Sequence, residues 1–399
     1  MHGPDARARI VIASRLYEPE AGAAAFRIAA VARALGRDHD VTVLTTRPPA
    51  GSPDEPGTGS IRVSRAPVLR DRSGAIRGYL QYLSFDIPLF VRLLLRGRAD
   101  VMVAEAPPTT GLVTLLAARL TRSRFVYYPG DVWTDGMIAM GASGLLVRIM
   151  RAIESLVVRR ADLLIAVSPE IIGRFAALGA RVERVAEVGN GIDVDVFGHG
   201  VEPMPAERPY FVYTGTMSEW QRPELFVEAL ALLGDEGRSV DLRFFGQGAS
   251  EAAVRESAER LLPGRVMVTG WVPPAVAARW ISGAVGALVS IVPGIGYDFA
   301  RPTKTYAAAA AGTPVLFAGP ETGAAVVRDA GLGETVPFDA VAVAQAMRRL
   351  LEADRAGETE RLRARRSAWA ADTVSLRAVG ERAAAAVLGA LRGPRRRGG

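Results

Sequence analysis

Short apolar runs alternate with amphipathic segments along most of the chain. Runs that are apolar on both faces predict buried strands, and apolar residues at intervals of three and four predict helices. Buried strands separated by helices indicate a parallel sheet that is covered on both sides. In the first half, the predicted strands are RIVIAS, VTVLTT, IRVSRAP, VMVAEA, FVYYP and LLIAVS, and FRIAAVARAL and GLVTLLAARL are typical of the helices between them.

The alternation stops once, in NGIDVDVFGHGVEPMPAERP, where Gly, Pro and Asp accumulate. It resumes with a second series of predicted strands, YFVYTG, LRFFG, VMVTG, GALVSIV and PVLFAG. We therefore predict an α/β protein with two tandem doubly wound, Rossmann-like domains and an interdomain cleft. The predicted parts are an N-terminal domain over 1–195, a linker over 196–209, a C-terminal domain over 210–372, and a final helix with a basic tail over 373–399. That final helix, around AAAAVLGAL, could pack on either domain.

The charge of the chain favours anionic ligands. Its 399 residues carry a formal net charge of +7, and the pI is near 10.1. The arginines are spread along the sequence except in RGPRRRGG near residue 395, so a basic enzyme is a better interpretation than a nucleic-acid-binding protein. The cluster of Arg395, Arg396 and Arg397 could also approach anionic lipid, although a disordered basic tail is the more ordinary interpretation.

Residue counts exclude several kinds of chemistry. The chain has no cysteine, which rules out disulfides, thiolate catalysis and cysteine metal sites. Only three histidines are present, and none has a metal-like partner at a useful spacing, so no metal site and no cofactor are expected.

The sequence predicts a cytoplasmic protein. Residues before the first strand lack a signal-peptide pattern. The most apolar candidate for a membrane span, YLSFDIPLFVRLLL, is interrupted by Asp86, Pro88 and Arg92, so we expect a core or interfacial helix there. Peripheral contact with the inner face of a membrane stays compatible with this pattern.

Lys304 is the only lysine among 49 basic side chains. It lies in PTKTYAAAAAG, where Pro302 and Thr303 predict a helix start and Gly312 predicts its end. A cation in the first turn of a helix is disfavoured by the helix macrodipole unless an anion binds there. Lysine is a compact charge on a flexible stem and suits phosphate, although the survival of one lysine in an arginine-rich chain could also be chance.

Glycine turns after predicted strands form a second group of candidates. Gly22 follows the first strand and opens a helix whose N–H groups could face an anion, and Gly215 ends a strand seven residues before Arg222 and Pro223. Each has an ordinary structural interpretation as a turn or as a solvated helix end. Further along, Gly246, Trp271 and Val272 could border a flat ring, although core packing is the better interpretation for an isolated tryptophan.

Carboxylates follow two strands of the first half. Glu105 ends VMVAEA, and Asp131, Trp133 and Asp135 follow FVYYP in YYPGDVWTDG. Their side chains could contact a polyol or an amine at the predicted cleft, but spacing alone does not assign an acid and a base.

The chain resembles, over nearly its whole length, the retaining glycosyltransferases with the GT-B fold, and particularly a bacterial branch similar to N-acetylaminosugar transferases of surface polysaccharide pathways. The resemblance rests on the order of six short motifs: YEPEAGAAAFRIAAVARAL, GDVWTDGMIAMG, RRADLLIAVSPEI, VGNGIDVDVF, YTGTMSEWQRPELFVEAL and RPTKTYAAAAAGTPVL. It implies a nucleotide-diphosphate sugar held mainly by the second domain, an acceptor held by the first, and a hinge motif at Asn190, Gly191 and Asp193. It also implies a metal-independent transfer in which cations stabilise the departing diphosphate.

Three positions depart from the family pattern. The family often has two glutamates separated by seven residues, in front of and within the lysine-containing helix, where this chain has Phe299 and Ala307. Asp298 is a possible substitute for the first glutamate, and Thr216 replaces a basic residue expected after Gly215. Loss of a carboxylate that receives ribose hydroxyls should weaken donor binding by about 1–3 kcal/mol.

These observations predict a retaining hexosyltransferase whose acceptor is a lipid-linked saccharide or a small natural product. A catalytically silent homologue that binds a nucleotide or a partner protein as a scaffold is the alternative, and a sugar-nucleotide epimerase is disfavoured by the lack of histidines in the expected cleft. The candidate catalytic residues are Lys304, Arg222 and Asp131; the candidate acceptor residues are Glu105, Asp131 and Trp133; and the candidate donor residues are Gly22, Gly215, Thr216, Gly246, Trp271, Val272, Asp298, Thr303 and Lys304.

Overall fold

The computed structural model describes residues 7–20, 23–49, 59–71, 76, 78–139 and 142–392. The chain folds into two compact units. The first contains the described residues up to Asn190 together with those from Leu376, and the second is Gly191–Ser375.

The first unit contains a sheet of seven parallel strands. In chain order they are β1 Arg9–Ala13, β2 Asp40–Thr46, β3 Arg62–Ala66, β4 Val101–Glu105, β5 Arg124–Tyr128, β6 Leu163–Ala166 and β7 Val185–Glu187. The helices between them are α1 Ala23–Gly36, α2 Tyr79–Arg96, α3 Pro108–Leu120, α4 Trp133–Ala139, α5 Gly144–Arg160 and α6 Pro169–Ala177.

The spatial order of these strands is β3-β2-β1-β4-β5-β6-β7. Ile10 of β1 pairs with Val41 on one side and Val101 on the other, and all three side chains are buried. The edge strand β3, RVSRA, is only half-buried. The strand order places the first change of winding direction beside β1 and β4, where ligands of doubly wound sheets bind.

The second unit contains six parallel strands in the order β10-β9-β8-β11-β12-β13. They are β8 Tyr210–Thr214, β9 Asp241–Phe245, β10 Val266–Thr269, β11 Gly286–Ser290, β12 Val315–Ala318 and β13 Gly333–Val336. Its helices are α7 Val194–Phe197, α8 Leu225–Leu232, α9 Glu251–Leu261, α10 Pro274–Ser282, α11 Thr303–Ala311, α12 Glu321–Asp329, α13 Ala340–Arg355 and α14 Glu358–Thr373. The prediction of two doubly wound α/β domains is therefore confirmed.

The segment predicted as a linker, 196–209, belongs to the second unit. Its backbone is tied to α10, since Met204 N donates to the carbonyl of Arg279 at 3.0 Å and Ser282 Oγ donates to the carbonyl of Val201 at 2.8 Å. Asp193 accepts hydrogen bonds from the N–H groups of Asp195 and Val196 and so caps α7. Asp193 of the predicted hinge motif is therefore the N-cap of α7.

A final helix, α15 Leu376–Arg392, returns to the first unit and packs on α1. Val379, Ala383 and Val387 are buried in the first unit's core. The sequence left this helix free to pack on either domain, and the predicted part 373–399 is thus divided by the structure at residue 375. The tail with Arg395, Arg396 and Arg397 lies outside the described residues.

In the described part of the chain, none of the helices combines the length and hydropathy that crossing a membrane requires. The apolar segment around Asp86 and Pro88 forms α2, and Asp86 and Leu89 are buried against the first unit.

Candidate functional site

Two glycine turns meet at the carboxyl edge of the second sheet, as the sequence predicts. Gly215 directly follows β8, has a φ of 101°, and donates its N–H to the carbonyl of Phe245 at 2.8 Å. Gly246 directly follows β9. The backbone of Gly215 approaches it so closely that a Cβ on Gly246 would overlap the carbonyl oxygen of Gly215. Gly215 is exposed and has no side chain, so its backbone is accessible at this edge, whereas Gly246 is buried next to it.

Lys304 lies beside this edge, in the first turn of α11. The helix runs from Thr303 to Ala311 and is capped by Gly312, whose φ of 75° is left-handed, so both predicted ends are confirmed. Lys304 Nζ lies 3.5 Å from the centre of the Tyr213 ring and 3.4 Å from Gln221 Oε1. A side chain at Gly215 would come within 3.7 Å of Lys304 Cε, so the ammonium group is next to the bare glycine turn.

The charge of Lys304 has no acidic partner among the residues that the structure describes. Within the described residues no carboxylate forms an ion pair with it, and burial alone lowers its pKa well below the ordinary value for lysine. A desolvated ammonium without a counter-ion is costly, and an anion would relieve that cost.

Gln221 completes the surroundings of Lys304 and was not predicted from the sequence. It is buried, its Oε1 accepts from Tyr213 OH at 2.6 Å, and its carbonyl accepts from Ser290 Oγ at 2.6 Å. Burial raises the pKa of Tyr213, so the phenol stays a hydrogen-bond donor. Ser290 is the last residue of β11, and the cluster thus joins the ends of two neighbouring strands to α11.

The structure places Arg222 differently from the prediction. The helix that Pro223 was expected to open, α8, begins at Leu225, and Arg222 lies in the preceding turn with a left-handed φ of 44°. Its guanidinium pairs with Glu224 at 3.5 Å and with Glu228 at 3.2 Å. Its charge is thus balanced by two acids, in contrast to that of Lys304.

The remaining donor candidates in the second unit vary in position. Trp271 has 70% of its surface exposed, so the preferred expectation of core packing is wrong, while Val272 packs against the unit's core. Thr303 is exposed at the start of α11, and the carbonyl of Thr216 accepts from Tyr213 OH at 2.7 Å. Gly22, the remaining donor candidate, lies outside the described residues.

The loop before α11 holds the substituted positions of the glutamate pattern. Asp298 folds back and accepts from Gly294 N at 2.9 and 3.1 Å, and the Phe299 ring stacks on Tyr297 with centroids 6.4 Å apart. Ala307 lies within α11 and is buried in the apolar core of the second unit.

In the first unit, Glu105 is enclosed. It ends β4, lies 3.3 Å from Arg27 Nη2 and accepts from Ser14 Oγ at 3.5 Å. Burial raises the pKa of Glu105, and the charges of Arg27 and Arg15 oppose that shift. Glu105 is thus held in a buried ion pair with Arg27, and its contact with an acceptor stays a prediction.

Asp131 and Trp133 lie at the end of β5 with a third acid, Glu154, that the sequence did not reveal. Asp131 is exposed, although partial burial of its carboxyl group raises its pKa, and it accepts from Val132 N at 2.7 Å. Glu154 accepts from Trp133 N at 2.8 Å and from Thr134 N at 3.0 Å, and so holds the start of α4. No local motif marked Glu154, because it comes from the middle of α5.

The neighbouring acid Asp135 pairs with Arg174 at 3.1 Å. The Trp133 ring meets Tyr82 edge-on with centroids 5.5 Å apart, and Arg15 lies 5.8 Å from it. The first unit therefore gathers arginines, acids and aromatic rings around the ends of β1, β4 and β5.

Family models match both units. Residues 22–191 match a glycosyl transferase 4-like domain, and residues 208–353 match glycosyl transferases group 1; together the matches take in most of the chain. The chain therefore combines two glycosyltransferase-family domains, one in each unit. Its fold is the GT-B arrangement of two Rossmann-like domains, as the resemblance implied.

Solved structures support this fold at low sequence identity. Anabaena Alr3699/HepE in complex with UDP is 15% identical, with 96% of this chain and 100% of that chain covered and a TM-score of 0.68. Sucrose-phosphate synthase from Thermosynechococcus elongatus is 17% identical, with 94% and 96% covered and a TM-score of 0.68. WaaG, a glycosyltransferase involved in lipopolysaccharide biosynthesis, is 19% identical, with 95% and 100% covered and a TM-score of 0.64. A comparison of the chain with curated proteins finds no match.

Proposed function

We propose that the protein transfers a sugar from a nucleotide-diphosphate sugar to an acceptor hydroxyl. The observation that carries this proposal is Lys304, a partly buried amine that no carboxylate of the described residues pairs with, beside the exposed backbone of Gly215. A diphosphate there would pair with the ammonium group and with the first N–H groups of α11. The similar HepE structures contain UDP and UDP-glucose, so a uridine nucleotide is the first donor to test.

We propose that the transfer retains the configuration of the sugar and needs neither metal nor cofactor. The bond between the anomeric carbon and the diphosphate oxygen breaks, and its electron pair leaves with the nucleoside diphosphate. The acceptor oxygen then bonds to the same face of the anomeric carbon, and its proton passes to the departing phosphate. Negative charge grows on the diphosphate in this step, and Lys304 and α11 are fixed in advance to stabilise it.

Arg222 and the first-unit residues have proposed secondary roles. Arg222 would have to leave Glu224 and Glu228 to reach a phosphate, so we expect it to contribute less than Lys304. Asp131 is the exposed carboxylate available to an acceptor hydroxyl, while Glu105 would act through Arg27. An N-acetylaminosugar donor and either a lipid-linked or a small acceptor are compatible with these groups.

The first test is calorimetric binding of UDP, GDP and dTDP to the wild type, Lys304→Ala, Lys304→Arg and the control Arg238→Ala. Arg238 is an exposed cation of the same unit, paired only with Asp235 among the described acids. We expect one nucleotide to bind the wild type and the control, and to bind Lys304→Ala at least tenfold more weakly. Equal affinity for Lys304→Ala would remove the proposed diphosphate site.

A silent nucleotide-binding homologue is the second candidate, because Ala307, which is buried, stands where the resemblance places the family's second glutamate. Incubation with the bound nucleotide's sugars and a panel of acceptors separates the two functions. Anomeric proton NMR of the product tests retention, and activity in excess EDTA tests metal independence. If a nucleotide binds but no donor is transferred or even slowly hydrolysed, the silent scaffold is favoured.

A further inference from the structure

Helix α2 turns an apolar face to the solvent. Leu80 is 71% exposed and Leu95 is 83% exposed, and they lie at the two ends of one stripe. A surface helix normally places polar side chains on its outer face. Apart from Arg96, the exposed residues of α2 are all apolar: Tyr79, Leu80, Leu83, Ile87, Pro88, Val91 and Leu95.

The neighbouring helices α3 and α5 continue this surface. Helix α2 packs on α3, and α3 packs on α5. They add exposed apolar side chains at Leu116, Leu120, Leu145, Ile149 and Leu156. We call the exposed faces of α2, α3 and α5 the three-helix surface.

The exposed charges of the three-helix surface are all positive. Asp86 and Glu154, the two acids of these fully described helices, are both buried. Exposed arginines stand on each helix: Arg96, Arg119, Arg148, Arg151, Arg159 and Arg160. Exposed apolar side chains and arginines on three helices that pack in sequence, with no exposed acid within these helices, are complementary to an apolar phase beneath an anionic layer.

An open hollow lies at the carboxyl end of α2. Four exposed arginines, Arg9, Arg62, Arg96 and Arg98, line it together with Asp40. Within the described part of the chain, no carboxylate forms an ion pair with these four guanidinium groups. The hollow is therefore suited to phosphate groups at the edge of the three-helix surface.

We propose that the three-helix surface binds peripherally to an anionic lipid bilayer. The apolar side chains of α2 would enter the boundary between headgroups and acyl chains, and the arginines would pair with lipid phosphates. A second copy of the chain is a poorer occupant, because a two-fold interface through this surface would place arginines against arginines without acids between them. The proposal concerns the first unit alone and stands independently of the proposed transfer reaction.

The test is flotation of the full-length protein with vesicles. One set contains phosphatidylcholine alone, and the other contains equal amounts of phosphatidylcholine and phosphatidylglycerol. The apolar variant is Leu80→Ser with Ile87→Ser, and its control is Leu232→Ser with Val341→Ser, which removes two side chains of the second unit that are each 55% exposed. Because all four side chains are exposed, both variants should fold, and circular dichroism and thermal melting check this.

We expect the wild type and the control to float with anionic vesicles and not with neutral ones. The fraction of the Leu80→Ser, Ile87→Ser variant that is bound should fall at least tenfold, and Arg148→Gln with Arg151→Gln should weaken binding severalfold and reduce its salt dependence. Fluorescence of an Ile87→Trp variant should be quenched by brominated lipid, whereas that of Val341→Trp should not change.

Three outcomes would overturn the proposal. The first is a wild type that does not float with anionic vesicles, and the second is a Leu80→Ser, Ile87→Ser variant that floats as well as the wild type. The third is a wild-type dimer in light scattering that becomes a monomer in this variant. The last result would make a second copy the occupant of the surface.

Discussion

At the scale of single residues, Lys304 is where sequence and structure agree most usefully. Its place in the first turn of a helix, and its status as the only lysine, follow from the sequence. Its desolvation above Tyr213 and its contact with Gln221 do not, because they depend on how β8, β11 and α11 converge. A buried glutamine in a turn has no sequence signature, and neither has Glu154 in the middle of α5.

The lowered pKa of Lys304 predicts that nucleotide binding takes up protons. A bound diphosphate would raise that pKa, so between the free and bound pKa values each binding event protonates the amine. Affinity should therefore fall as the pH rises through the lowered pKa of the free protein. Calorimetry in buffers of different ionisation enthalpy, repeated over a range of pH above about 7 where phosphates are already ionised, measures the uptake.

Lys304→Arg is the matched control for this effect, because arginine stays protonated throughout. Proton uptake that persists in Lys304→Arg would assign the titration to another group.

The buried pair of Glu105 and Arg27 predicts a large stability effect from a single change. Glu105→Leu leaves the Arg27 guanidinium buried with no partner, and we expect a loss of about 3–5 kcal/mol in the free energy of unfolding. Urea unfolding followed by circular dichroism measures it. The double variant Glu105→Leu with Arg27→Met should regain much of the loss, and a double variant as unstable as the single one would contradict this account.

At the scale of elements, helix ends were predictable where backbone chemistry decides them. Gly312 takes a left-handed φ and ends α11 at the predicted residue. Pro223 misled the prediction for α8, because the N–H groups of Gln221 and Arg222 both donate to the carbonyl of Ser218 and form a turn first. That turn brings Gln221 inward, so the failed prediction and the missed site residue have one cause.

The contact between α15 and α1 predicts opposite effects for two glycines of the same helix. A Cβ at Gly380 would lie 2.7 Å from the carbonyl group of Ala30, whereas a Cβ at Gly389 has nothing within 4 Å. We expect Gly380→Ala to lower the free energy of unfolding by about 1–3 kcal/mol. Gly389→Ala should raise it by about 0.5–1 kcal/mol through helix propensity. Thermal and urea unfolding of both variants measure these changes. A Gly380→Ala variant more stable than the wild type would mean that α15 can move away from α1 without loss of stability.

At the scale of the whole molecule, the sequence predicted two sheets but not the path of the last helix. Strand and helix patterns are local, and both sheets follow from them. The apolar face of AAAAVLGAL fits any apolar partner, so only the tertiary contact with α1 assigns α15 to the first unit. The same contact explains why the chain is not divided at a single linker.

The second unit is continuous in sequence, which predicts that it folds alone. Residues 191–375 expressed separately should show a cooperative unfolding transition and bind the same nucleotide as the full chain. Residues 1–190 lack α15 and should not unfold cooperatively until a chain containing residues 376–392 is supplied. Circular dichroism and calorimetry measure both, and a stable 1–190 fragment would show that α15 is dispensable.

The return of α15 has a consequence for how the protein is made. Ile192 and Ser375 are bridged within the second unit, with Ile192 N donating to the carbonyl of Val374 at 2.7 Å, so this unit is closed as soon as residue 375 has left the ribosome. The face of α1 that α15 covers stays open until residues 376–392 emerge. The unit that is translated first is therefore completed last, and the nascent chain must keep an uncovered apolar face from aggregating throughout synthesis of the second unit.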